Sequence, residues 1–187
     1  MNRVAAQSPA AAPGSVGWEV RPARQEDAAA VATAVAALVA ELGGSPPPHG
    51  AIEREASAHI ADPSLGIVLV AAADPDPSTG GPDSGASSVS ARPDDLVGAL
   101  TASWARAIQV AGRLLTIEVL WTRGEWRGRG VGAALVEALA AAAAAEGAGR
   151  VEVGLPRESF AALRATERFY LANGFERLGP RMRRAVP

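Results

Sequence analysis

Six consecutive residues, Arg127-Gly128-Arg129-Gly130-Val131-Gly132, have the types and spacing to hold a phosphate. Glycine has no Cβ, so a bound group can come up against the backbone amides. Val131, Leu135 and Leu139, spaced by four in an alanine-rich background, start a helix at this point. The first amides of a helix lack carbonyl partners and sit at the positive end of its dipole, so an anion is their natural guest. Arg123, Arg127 and Arg129 against Glu125 make the turn locally cationic, although the chain carries −2. The glycines alone are equally compatible with a turn that only packs a helix on a sheet.

Several phosphate ligands fit such a corner. Residues 128–133 also satisfy the dinucleotide fingerprint Gly-x-Gly-x-x-Gly/Ala. That fingerprint needs its glycines directly after a strand, near the start of a large doubly wound sheet. Here the polar residues 123–127 intervene, and too little chain follows Gly132 to complete such a domain. Glu152 is at a tolerable distance for a ribose contact, but inside a strand rather than at its end. A nucleotide-binding module is kept as an alternative.

The elements that must position the corner can be read from patterning. Leu114 to Thr122 is a strand by its β-branched and aromatic residues, flanked by Gly112 and Gly124. Trp18 to Ala23 is a first strand stopped at Pro22. Gln25-Glu26-Asp27 then opens a helix with acids in its first turn, where they complement the dipole. Val31, Val35, Leu38, Val39 and Leu42 form its apolar face, and Gly43-Gly44 end it. A short helix over 51–60 follows the stiff segment Ser45-Pro-Pro-Pro-His49. Strands are expected over 66–73, 96–108 and 150–155, with Pro156 keeping the last splayed from its neighbour. A helix runs from Pro156 and Glu158 through Phe160, Leu163, Phe169 and Tyr170 to Asn173-Gly174, and a hairpin of 175–178 with 182–186 closes the chain.

This order, β-α-α-β-β-β-α-β-α-β-β, predicts an α+β fold with a mixed, mostly antiparallel central sheet flanked by helices. Residues 17–187 read as one domain, a length sufficient for a sizeable core. Residues 1–16 read as a disordered tail, and 74–95, rich in Asp, Pro, Ser and Gly, as a disordered insertion.

Composition excludes several classes. A pI of about 5.7 argues against nucleic acid as a partner. The chain has no cysteine and only His49 and His59, so neither a thiolate nucleophile nor a cysteine- or histidine-rich metal site is expected. It lacks an apolar stretch of membrane-spanning length and a signal-peptide pattern, so a cytoplasmic protein without a membrane partner is expected. A homodimer is left open.

Arg127-x-x-Gly130-x-Gly132, after a strand and opening a helix, resembles the acyl-CoA pyrophosphate loop of the GNAT N-acetyltransferase superfamily, whose pattern is Gln/Arg-x-x-Gly-x-Gly/Ala. The element order resembles that family along nearly the whole chain. Tyr170, followed four residues later by Gly174-Phe175, resembles its second signature. The resemblance implies an N-acetyltransferase moving an acetyl group from acetyl-CoA to a primary amine, borne by a small molecule or a peptide, by direct attack. It implies that the amide of Leu120 meets the thioester carbonyl and that Thr122 pairs with the pantetheine arm. The amides of Arg129, Gly130 and Gly132, with Arg127, Gly128 and Val131 beside them, would hold the pyrophosphate. A non-catalytic acyl-CoA sensor is the second alternative. Two departures stand out: Leu163 occupies the position of a cofactor-contacting Asn, and Thr166 that of a small alanine.

A lysine-like ammonium must lose a proton before attacking a thioester, which costs about 4–5 kcal/mol near pH 7. The resemblance places general bases on the central strand, where Glu118 is the only carboxylate. Strict alternation would point it with Thr116, Leu120 and Thr122, opposite Ile117, Val119 and Trp121. Tyr170 matches the family's general acid to the departing sulfur. The acceptor region of the family corresponds to His49, Glu53, Glu55, Trp104, Arg106, Trp121, Arg181 and Arg183.

Overall fold

A computed structural model describes residues 17–73 and 96–179. The expected tail 1–16, the insertion 74–95 and the hairpin residues 182–186, with Arg181 and Arg183, lie outside the described residues. Strands β1 (Trp18–Pro22), β2 (Gly66–Ala73), β3 (Leu96–Ala107), β4 (Gly112–Thr122) and β5 (Val151–Val153) form a five-stranded sheet in that order. The first four pair antiparallel, and β5 runs parallel to β4. Helices α1 (Ala28–Glu41) and α2 (His49–Ala61) cover one face, and α3 (Val131–Ala145) and α4 (Leu163–Ala172) lie on the other.

Both faces are covered, so β2 and β3 are apolar on both sides and read as continuous runs. Val68, Val70, Leu96 and Ala99 pack on Ala28, Val31, Ala34 and Ala56. Leu69, Ala71, Val97, Leu100, Leu115 and Ile117 pack on Val131, Leu135 and Leu139. Each of these buried Leu and Val side chains contributes about 1.5–3 kcal/mol. The α1 face differs from expectation. Its deepest residues include Ala28, Ala32 and Ala34, while Val35, Leu38 and Val39 are only half-buried. Alanine lets the helix approach the strands closely. Gly98 does the same for α3, since a Cβ there would stand 2.7 Å from Val131 Cγ1 and 3.1 Å from Leu135 Cδ1.

The end of the chain departs most from its sequence pattern. The strand expected over 150–155 shortens to Val151–Val153, and residues 175–179 are not strand. The helix expected from Glu158 begins at Leu163, after turns around 158–162.

Candidate functional site

The corner after β4 is built as a turn with exposed amides. Gly124–Trp126 make one 3-10 turn and Arg127 is extended; Gly128 and Gly130 have φ of +74° and +84°. That left-handed backbone favours glycine. Gly130 is the N-cap of α3, and the first helical bond runs from Ala134 N–H to the Gly130 carbonyl at 3.0 Å. The amides of Val131, Gly132 and Ala133 therefore have no carbonyl partner within the helix. No side chain caps them, and the first turn holds no acid. A Cβ built on Gly128 or Gly130 would meet nothing within 4 Å, so the outer side of the turn is open, whereas one on Gly132 would stand 3.3 Å from the Phe169 ring. These features suit a diphosphate, which needs donors and a positive end without a competing internal anion.

The two arginines of the corner behave differently. Arg127 forks onto the Glu41 carboxylate at 2.9 and 2.6 Å and donates from Nε to the Thr122 carbonyl at 3.1 Å. Its guanidinium ties α1 to the loop, so as placed it braces the corner instead of pointing a free side chain at a phosphate. The hydrogen bonds to Glu41 raise its pKa above the ordinary arginine value. Arg129 lies over the Trp126 ring, 5.2 Å from its centroid.

Beside the corner the sheet parts. β5 pairs with β4 only at Leu115, Thr116 and Ile117, whereas β4 continues to Thr122. The sequence Gly154-Leu155-Pro156 carries no strand, in keeping with the expected splay at Pro156. Arg123 N–H donates to the Val97 carbonyl at 2.9 Å, and Leu120 and Thr122 face Leu100 and Gly98 across β3. Antiparallel alternation then turns the N–H and C=O groups of Leu120 and Thr122 away from β3, toward the side where β5 has ended. The Arg127 bond to the Thr122 carbonyl agrees with that orientation.

Glu118 corrects the alternation expected from sequence. The register shifts between Thr101 and Ala102, which pair with Val119 and Ile117, so Glu118 is the extra residue of a β-bulge. Before the bulge Leu115 and Ile117 face α3. After it Leu120 faces α3, and Val119 and Trp121 turn to the α1–α2 side. Glu118 thus shares a face with Val119, not with Leu120 and Thr122. It is exposed, and among the described residues it makes no ion pair or hydrogen bond; Arg113, on the same strand, lies near Glu146 and stacks on Trp104.

Glu118 opens onto a groove of about 120 Å³ between α1, α2 and the sheet. Val31, Val35, Ile52, Val68 and Val119 line it. Glu55 and His59 share its wall; the His59 ring contacts the Glu55 carbonyl through Nδ1 at 3.0 Å and Ser103 Oγ through Nε2 at 3.4 Å. Sequence reading found Glu55 but missed His59 and the apolar lining. The spacing of Ile52, Ala56 and His59 along one helix was the available signal. Of the other expected acceptor residues, His49 and Glu53 approach each other at 3.7 Å on exposed helix surface. Trp104 donates to the Pro63 carbonyl under the Arg113 guanidinium, and Trp121 packs against the α1–α2 core. Arg106 faces Arg113 across β3 and β4.

Tyr170 lies on the other side of the sheet. It is 8% exposed, its ring sits edge-on to Phe169 and Phe175 at 5.2 Å each, and burial pushes its pKa up to about 12. It lines a cavity of about 1240 Å³ between α3, β5, α4 and residues 175–179, together with Val136, Val153 and Leu163. Glu152, considered from sequence for a ribose contact, lies inside β5 and is ion-paired to Arg150 at 2.8 Å.

Residues 86–177 match the family described as the acetyltransferase (GNAT) domain. No curated protein matches the sequence. Among solved structures, the chain resembles an aminoglycoside N-acetyltransferase in complex with CoA (TM-score 0.70, 13% identity, covering 94% of this chain and 99% of that one). It also resembles the ribosomal-protein-alanine N-acetyltransferase of Brucella melitensis biovar Abortus 2308 (0.63, 15%, 91% and 100%). A third likeness is to glucosamine-6-phosphate N-acetyltransferase of Arabidopsis thaliana (0.63, 11%, 91% and 99%). At these identities the likeness is one of fold. Among the described residues no helix is long and apolar enough to cross a membrane.

Proposed function

We propose that this chain, whose residues 86–177 match the acetyltransferase (GNAT) domain, transfers an acetyl group from acetyl-CoA to a primary amine by direct attack in a ternary complex. The observation that carries the reading is the open glycine corner at the start of α3, which lies beside the place where β4 outruns β5. Acetyl-CoA supplies an activated acyl thioester. The amides of Gly130, Val131 and Gly132, with Arg129 and Gly128 beside them, are the donors for its diphosphate. Thr122 offers backbone groups to the pantetheine arm, and Leu120 N–H is available to an oxygen gaining negative charge.

Glu118 is the base. It takes a proton from the incoming ammonium, directly or through water, and its lack of a partner among the described residues leaves its lone pairs available. The amine nitrogen then bonds the acyl carbon while the carbon–sulfur bond breaks. Tyr170 gives a proton to the departing sulfur and is reprotonated, through solvent, by the proton that the acylated nitrogen sheds. With its pKa raised to about 12, its hydroxyl stays protonated at neutral pH, as a proton donor must. The protein itself is expected to act in the cytoplasm.

Calorimetric titration with acetyl-CoA and a thiol-release assay against primary amines test the reading. Tyr170→Phe is expected to lower kcat by about 10²–10⁴-fold while changing acetyl-CoA affinity by much less. Equal turnover by the variant would remove Tyr170 from the mechanism, and absence of heat with acetyl-CoA would remove the mechanism altogether.

A further inference from the structure

We infer that Phe169 is a positioning residue for the proposed transfer: its ring spaces the diphosphate corner from Tyr170, the proton donor to the sulfur. The inference rests on the acetyl-transfer reading and adds a residue to it. The glycines of the corner have two different reasons to be glycine. Gly128 and Gly130 have a left-handed backbone and open space where a Cβ would stand. Gly132 has neither. It lies inside α3 without a positive φ, and a Cβ there would stand 3.3 and 3.4 Å from Cζ and Cε2 of Phe169 and 3.7 Å from Thr122 Oγ1. Alanine is the better helix former and fills most of α3, so glycine at this one place costs helix propensity. What it provides is room for the ring that α4 sends to the first turn of α3.

The same ring holds the tyrosine. Phe169 and Tyr170 meet edge-on, with centroids 5.2 Å apart and planes at 77°. Among the described residues the Tyr170 hydroxyl makes no hydrogen bond, so ring packing against Phe169 and Phe175, beside Val136, Val153 and Leu163, fixes where it sits. Phe175 donates its N–H to the Tyr170 carbonyl at 3.1 Å and travels with the end of α4. Asn173 Nδ2 donates to the Phe169 carbonyl at 2.7 Å and pins its backbone. Phe169 is the aromatic neighbour of Tyr170 that also meets the corner at Gly132. A side chain added at position 132 must displace the Phe169 ring, and with it the Tyr170 hydroxyl.

The test is a compensating pair of substitutions. Gly132→Ala keeps the donor amides and adds one methyl group. It is expected to lower kcat about 10–100-fold while KM for acetyl-CoA stays nearly constant. Phe169→Leu withdraws the ring edge and leaves a gap, so kcat falls there too; Phe169→Met serves if the leucine variant does not fold. In the double variant the new methyl fills that gap, and kcat is expected to exceed that of either single variant. The chain has one tyrosine, so carbon-13-labelled tyrosine gives a single ring resonance as a readout independent of turnover. That resonance should shift in Gly132→Ala and return toward its wild-type position in the double variant. If the single variants turn over like wild type, if their losses add, or if the resonance stays in place in Gly132→Ala, Phe169 only fills the core. The positioning role is then wrong and the transferase reading stands. If acetyl-CoA gives no heat with the wild-type protein, the transferase reading fails first, and the positioning role goes with it.

Discussion

Two helices of this chain start shortly after a strand, and they treat their first turn in opposite ways. Before α1 the chain brings its own anion. The Asp27 carboxylate, 2% exposed, accepts Arg24 N–H at 2.7 Å and both Arg21 guanidinium nitrogens at 2.6 and 3.0 Å. Before α3 the cap is Gly130, with neither an acid in the first turn nor a side chain on the amides. The positive end of a helix is the same in both places. Given an internal anion, which accepts the Arg24 amide ahead of the 3-10 turn Gln25–Asp27 that leads into α1, it becomes an anchor for β1 and α1; left open beside the splayed strands, it has room for the diphosphate proposed above.

The largest effect is expected at the closed end. Burial alone would push the Asp27 carboxyl up, but its bonds to Arg21 and Arg24 outweigh this and hold it below its ordinary value of 3.8. Asp27→Ala leaves Arg21 partly buried without its partner, and should cost about 3–5 kcal/mol in urea unfolding. Because the folded pKa is lowered, the contribution of Asp27 is present above about pH 4 and fades as pH falls through the folded value. A loss under about 1 kcal/mol would mean the pair behaves like a surface contact.

The next effect comes from copying the closed solution onto the open end. Aspartate is a good N-cap and tolerates a left-handed backbone better than most residues. Gly130→Asp should therefore stay folded, yet lose about 10²–10⁴-fold in acetyl-CoA affinity as charge-assisted bonds to a diphosphate give way to repulsion. Unchanged affinity would show that the corner only packs a helix.

Glu118 and Asp27 form the third contrast, one carboxylate without partners among the described residues and one fully bonded. Glu118→Gln should lower kcat about 100-fold and move stability by less than about 0.5 kcal/mol, the reverse of the balance at Asp27. A large stability loss with little change in kcat would place Glu118 in the scaffold.

What was legible in the sequence follows the range of the forces involved. The glycine corner, α1 to α3 and β1 to β4 are set by local propensity and periodicity, and all are where patterning put them to within a few residues, whereas α4 starts only at Leu163. The bulge at Glu118 was not legible, because alternation assumes that every residue has a cross-strand partner. Nor was the shortness of β5, which depends on where the neighbouring strand diverges. Asp27 read as a dipole complement, since nothing local announces that Arg21 closes on it. The stretch 175–178 has strand-like residues but no strand in the structure.

Arg127 carries the smallest effect and separates two meanings of one motif residue. Its partner Glu41 is 86 residues away, a contact no local pattern contains. The pair is half exposed, so Arg127→Ala should cost only about 0.5–1 kcal/mol in stability. If Arg127 braces the loop, Glu41→Ala weakens acetyl-CoA binding by the same few-fold factor, and the double variant is no worse than either single one. If the guanidinium instead leaves Glu41 to grip a phosphate, Arg127→Ala loses much more affinity than Glu41→Ala, and the loss shrinks as salt is added. The double-mutant cycle, read as acetyl-CoA affinity at low and high salt, therefore decides whether the open end of α3 binds its anion with backbone alone or with a side chain borrowed from the far helix.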